Sequence, residues 1–113
     1  MSDDVMVSCH TCGSPLNHGR TSLPGGPGAL LAHLGVPIRE LKGATGIEML
    51  PRLVSAIRQL RDEDEQSELR KQFDADYDPS KPGSWSRVDF ALPFLESLRD
   101  GFCRDPRATL VVL

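Results

Sequence analysis

Two apolar stripes at helical spacing constrain this 113-residue chain more than any other feature. Leu50, Leu53, Val54, Ile57 and Leu60 recur three or four positions apart, with Arg52, Arg58 and Arg61 off the stripe. Phe90, Ala91, Phe94, Leu95 and Leu98 repeat the pattern further on. Such spacing gathers apolar side chains on one face of a helix, which must then be covered. Hydrophobic residues make up 39% of the chain, enough for one small core and too few for two. The expectation is a single domain over residues 1–113, with helices near 47–61 and 86–100. Thr45-Gly46-Ile47-Glu48 and the segment from Ser86 to Asp89 have capping-box spacing ahead of each stripe. Pro51 and Pro93 offer alternative first residues, and Val88, Phe90 and Leu92 also alternate like a strand.

The stripes need an opposing layer. Ala108 to Leu113 is rich in β-branched residues and reads as a strand, and Val5 to Ser8 is a shorter candidate that can pair with it. This predicts an α+β architecture in which the helices pack on a small sheet that includes the C-terminal strand. Residues 13–28 carry eight glycines and prolines and are expected to be a loop without a long regular element. A short helix from Ala29 to Leu34 should stop at Gly35, and a second should run from Pro37 to Gly43. The acidic run Asp62 to Glu65 either continues the first long helix or breaks it, and residues 74–84 form a Pro-rich acidic connector. No internal repeat is visible.

The net charge of −3 is unevenly spread. Residues 1–56 are balanced, and between Asp62 and Asp78 eight acids face only Arg70 and Lys71. Nucleic-acid binding calls for clustered cations instead. The four Phe, one Tyr and one Trp all fall in residues 73–102, so the first 72 residues must pack on aliphatic side chains. Phe73, Phe90, Phe94 and Phe102 are expected in the core. Tyr77 and Trp85 sit in or beside the acidic connector, where no periodicity accounts for them. An acidic surface carrying aromatic anchors suits a basic protein partner, with Asp74, Asp76, Tyr77, Asp78 and Trp85 as the contact residues.

Cys9-His10-Thr11-Cys12-Gly13 is the most distinctive local string. Two thiolates on a tight turn followed by glycine form half of a zinc-binding pair of knuckles, but no second pair exists. Zinc therefore requires Cys9, Cys12, Cys103 and a histidine, His10 first, with His18 and His33 as the other choices. A redox role for the CxxC conflicts with the loop that follows it, because redox pairs of this kind open a helix. The odd cysteine count and the absence of a signal-length apolar run or a membrane-spanning stretch lead to an expectation of a cytoplasmic chain.

Other motifs fail on particular residues. Asp74, Asp76 and Asp78 alternate as in a calcium loop, but Pro79 and Trp85 stand where glycine and glutamate are needed. Leu30 to Val36 has the Gly turn of a helix-turn-helix, yet Leu31 replaces the small packing residue and the following segment offers only Arg39 and Lys42 for DNA. No serine lies in a nucleophile elbow. The sequence thus leads to a non-catalytic interaction domain for a basic protein, comparable in size and charge with toxin-neutralising immunity proteins. A zinc-stabilised domain is the alternative, and a helix-turn-helix DNA-binding protein stands behind both.

Overall fold

In the computed structural model the described residues are 3–16, 21–23 and 28–113. The two ends of the chain meet first. Strand β1 (Asp3–Ser8) pairs antiparallel with β3 (Thr109–Val112), with Val5 opposite Val112 and Val7 opposite Leu110. These four side chains are buried, so the period-2 pattern turns one sheet face to the core.

A third strand, β2 (Thr21–Leu23), lies on the other side of β1 and gives the order β2-β1-β3. It falls within residues 13–28, which were expected to be loop. Three residues are too short to show alternation, and pairing with the already ordered β1 creates the strand.

Helix α1 (Gly28–His33) ends as its sequence requires. Gly35 takes a left-handed φ of 88°, and the Val36 amide bonds back to the Leu31 carbonyl at 2.8 Å. From Pro37 the chain makes one helical turn, with the Leu41 amide on the Pro37 carbonyl, instead of the short helix expected there.

Helix α2 (Gly46–Arg61) begins at the capping-box position and carries Pro51 inside it. Ile47, whose carbonyl the proline leaves unbonded, and Pro51 are both exposed, so the lost bond falls on the solvent side. Thr45 precedes the helix but makes no side-chain cap. The buried stripe is Met49, Leu53, Ala56, Ile57 and Leu60, rotated from the expected one: Leu50 is half-buried and Val54 is exposed.

Asp62 then decides between continuing and breaking. Its carboxylate accepts the amides of Asp64 and Glu65, which starts helix α3 (Glu63–Phe73). Gln66 donates to the Leu60 carbonyl at 2.8 Å and closes the end of α2.

Helix α4 (Arg87–Arg104) starts at the expected cap, since Ser86 Oγ accepts the Asp89 amide at 3.1 Å. The reciprocal half of the box is not made: the Asp89 carboxylate pairs with Arg70 of α3 at 2.5 Å. Gly101 does not end α4, which continues three residues further. Gly101 is buried and Phe102 is fully buried, so packing of that last turn outweighs the glycine's weak helix propensity.

Helices α2 and α4 pack most extensively on each other, and one apolar cluster joins all the described layers. Ser97 of α4 has a hydroxyl that is buried without a hydrogen-bond partner among the described residues. Ser97→Ala removes that cost and raises helix propensity. It is expected to stabilise the protein by about 1 kcal/mol, measurable as a shift in urea midpoint at constant m-value.

Candidate functional site

The acidic segment divides into two chemically different parts. In the connector after α3 the acids serve the fold. Asp74 is buried at the start of α4, where its carboxylate accepts from Ser86 Oγ at 2.5 Å and from the amides of Arg87 and Val88 at 2.7 and 3.3 Å. Asp74 is therefore no surface contact residue, contrary to the sequence-based expectation: four donors at a helix N-terminus, Arg70 included, draw it inward.

Asp78 accepts from the hydroxyl and amide of Ser80, which hold its carboxyl below the ordinary range. Its own amide donates to Ser84 Oγ at 3.0 Å. Asp76 is exposed and pairs with Arg87 at 3.2 Å.

Trp85 also has a partner inside the fold. Its ring meets Phe90 edge-on at 5.7 Å, and Phe90 stacks on Phe94 at 5.5 Å, so the aromatics form a ladder from surface to core. Arg87 lies 5.9 Å from the Trp85 ring centroid. Together with Asp76, half-buried Tyr77, Gly83 and Ser84 these residues line a shallow pocket of about 160 Å³.

Helix α3 presents the other part. Asp64, Glu65 and Glu68 stand along a groove of about 380 Å³ whose remaining lining is His33 of α1, Gln59 of α2 and Leu69 of α3. Among the described residues one cation meets these carboxylates: Lys71, on Glu68 at 3.3 Å. The lining is acidic at the rim and apolar at Leu69, and His33 is anchored on Phe73 with the rings 5.5 Å apart. The acids were legible in the sequence as a run of charge. The groove was not, because it depends on α1 and α2 lying beside α3.

Val54, Ile57, Arg58, Arg61 and Arg99 surround a third pocket of about 270 Å³. There Arg61 is paired with Glu96 at 2.7 Å and Arg99 with Asp100 at 3.0 Å, so most of its charge is already satisfied.

At the far end of β1, Cys9 to Gly13 forms a tight knuckle. The Gly13 amide bonds the Cys9 carbonyl and the Cys9 amide bonds the Ser14 carbonyl, both at 2.9 Å, and Gly13 has φ 72°. Cys9 Sγ lies 3.2 Å from Thr11 Oγ1. That hydroxyl, with the amides of Cys12 and Thr11, lowers the Cys9 thiol to about 7. Cys12 is exposed and turned to Ser14 Oγ at 3.3 Å.

His10 reaches across to Asp105, at the end of α4, with Nδ1 2.5 Å from Oδ2 and its amide 3.1 Å from the same oxygen. The His10 hydrogen bond is the main cause that takes the Asp105 carboxyl down to about 2. The expected set of Cys9, Cys12, Cys103 and His10 is not assembled. Cys103 lies exposed on α4, and among the described residues the donors that converge within 4.8 Å are Cys9, His10 and Asp105. His18 falls outside the described residues, and His33 belongs to the α3 groove. Asp105 gave no local signal, since it is 95 positions from His10 and meets it only because β1 and β3 pair.

No protein-family model matches this chain, and neither a curated protein nor a solved structure does. Among the described residues no helix is long and apolar enough to cross a membrane.

Proposed function

We propose that this is a non-catalytic interaction domain that binds a basic protein segment in the groove between α1, α2 and α3. The observation that carries this reading is the groove itself, in which Asp64, Glu65 and Glu68 flank Leu69 with Lys71 as the one paired cation among the described residues. A lysine or arginine of a partner suits such a place, because its aliphatic stem covers the apolar residue while its head meets the carboxylates. The connector acids are engaged within the fold, so steering charge resides on α3. Asp76, Tyr77 and Trp85 line a separate shallow pocket on the connector that follows it. Free Cys12 and Cys103 on the surface suit a reducing compartment, and we place the protein in the cytoplasm.

The test is capture of partners from cell extract by the immobilised full chain, followed by affinity measurements on the captured basic protein over a range of salt. Asp64→Asn with Glu65→Gln is expected to lower affinity about tenfold and to flatten the salt dependence, since two exposed charges that salt screens are lost. Unchanged affinity and an unchanged salt slope would refute the groove. An immunity-type role adds one outcome: the captured protein loses its own activity when this chain is added.

A further inference from the structure

The cluster at Cys9, His10 and Asp105 lies apart from the acidic groove and has a chemistry of its own. Its three donor atoms are a thiol sulfur, an imidazole nitrogen and a carboxylate oxygen, all within 4.8 Å of one another. We propose that Cys9 Sγ, His10 Nδ1 and Asp105 Oδ2 bind a single zinc ion that clamps the end of β1 to the end of α4.

Four features support this assignment. The knuckle holds the Cys9 main chain by two backbone hydrogen bonds of 2.9 Å, and its sulfur rests 3.2 Å from Thr11 Oγ1. The Asp105 carboxylate is oriented before any metal arrives, since Oδ1 accepts the Arg107 amide at 3.1 Å while Oδ2 accepts the His10 amide at 3.1 Å. The mixed set of sulfur, nitrogen and oxygen favours zinc over the hard cations calcium and magnesium, which take oxygen alone. Small movements suffice. Zinc bonds near 2.1 Å to nitrogen and oxygen place two tetrahedral ligands about 3.4 Å apart. His10 Nδ1 and Asp105 Oδ2 are now 2.5 Å apart in a hydrogen bond, and the exposed His10 ring can open that gap by rotating.

Binding also has a definite proton balance. Coordination at Nδ1 requires the neutral imidazole to carry its proton on Nε2, so a proton on Nδ1 facing Asp105 moves to Nε2 by exchange with solvent, with no net release from the ring. Cys9 binds as thiolate and releases its own proton to solvent. Three protein ligands leave a fourth position facing solvent. Cys12, turned to Ser14, and Cys103, outside the cluster, are not assigned to it.

The metal-free full chain titrated with Co(II), with Zn(II) as competitor, tests the assignment. One equivalent is expected to give a thiolate-to-cobalt charge-transfer band that zinc abolishes. Cys9→Ser should remove the band and weaken zinc binding about 100-fold, and Asp105→Asn should keep the band and weaken binding about tenfold. Cys12→Ser and Cys103→Ser should leave both within about twofold. Circular dichroism of each metal-free variant separates loss of a ligand from loss of the fold. No saturable band in the wild-type chain would overturn the proposal. So would a site that is lost with Cys12→Ser and indifferent to Asp105→Asn in folded protein, because that pattern describes a two-cysteine knuckle without the cross-chain carboxylate.

Discussion

Asp74→Ala is expected to cost about 3 kcal/mol of folding free energy, measured as a fall in urea midpoint at constant m-value, whereas Asp76→Ala two residues away stays within about 0.5 kcal/mol. The difference follows from what each carboxylate touches. The Asp74 side chain is 3% exposed and accepts from the Ser86 hydroxyl and the amides of Arg87 and Val88. Loss of a cap at the start of α4 accounts for about 1 kcal/mol. The rest comes from groups left behind: Ser86 Oγ and the Val88 amide are buried and donate to Asp74 alone among the described residues, and each orphaned donor costs about 1 kcal/mol or more. Arg70, 3.8 Å away, keeps Asp89 and Ser86 as partners, so its own loss is small. Asp76 faces solvent and Arg87 across 3.2 Å, an exposed pair of the kind that contributes little. Asp74→Asn refines the test, since one carbonyl oxygen can still accept the Arg87 amide while the amide group faces donors. About half of the alanine effect is expected. If Asp74→Ala and Asp76→Ala prove equal, the capping role assigned to Asp74 is wrong.

Gly46→Ala is the second large effect, and its sign is opposite to the usual rule. Alanine for glycine in a helix ordinarily gains up to about 1 kcal/mol. Here a Cβ on Gly46 would lie 2.7 Å from the Pro106 carbonyl oxygen, 2.8 Å from Pro106 Cα and 3.1 Å from Phe102 Cδ1. Two of those neighbours are backbone. They cannot give way cheaply, because the Gly46 amide bonds the Ala108 carbonyl at 3.2 Å and the Leu110 amide bonds the Ala44 carbonyl at 2.9 Å. The strain outweighs the propensity gain, and a net loss of about 2 kcal/mol is expected by thermal or urea unfolding. Gly28, at the start of α1 with nothing within 4 Å of an added Cβ, is the control. Gly28→Ala should be neutral or slightly stabilising. Equal behaviour of the two variants would refute the close approach of α2 to the segment before β3.

The elements that the sequence made legible are those whose signal is local. The start of α4 at Ser86, the stop of α1 at Gly35 and the pairing of Val5 to Ser8 with the C-terminal strand rest on a cap, a left-handed glycine and alternation over a few residues. Where two local signals competed, packing decided. Gly101 should end a helix, but burial of Phe102 carries α4 past it. Val54 and Leu50 fit a stripe by spacing, but the position of α4 selects Met49 and Ala56 for the interior instead. The candidate site residues were harder to read for the same reason. An aspartate in a Pro-rich acidic run looks exposed, and nothing local to Asp74 announces Arg70, Ser86 and the first amides of α4. Trp85 looked unattached because its partner, Phe90, belongs to a helix whose start was itself in question. Cys9 and His10 were visible as a motif, but Asp105 reaches them only through the meeting of the chain's two ends.

That meeting has a consequence for how the molecule comes into being. β1 occupies the middle of the sheet and is made before every other described element, while β3, which covers one of its edges, is made after all of them. During synthesis the β3-facing edge of β1 therefore stays open, with the amides and carbonyls of Met6 and Ser8 lacking their strand partners. The contacts between α2, α3 and α4 span far less chain and close at lower entropic cost. The helices can therefore pack before β1 and β3 meet, and the sheet closes over them last. A chain released before Leu110 would keep most of its helical core and expose an unpaired strand, which is the form most prone to associate with its own kind.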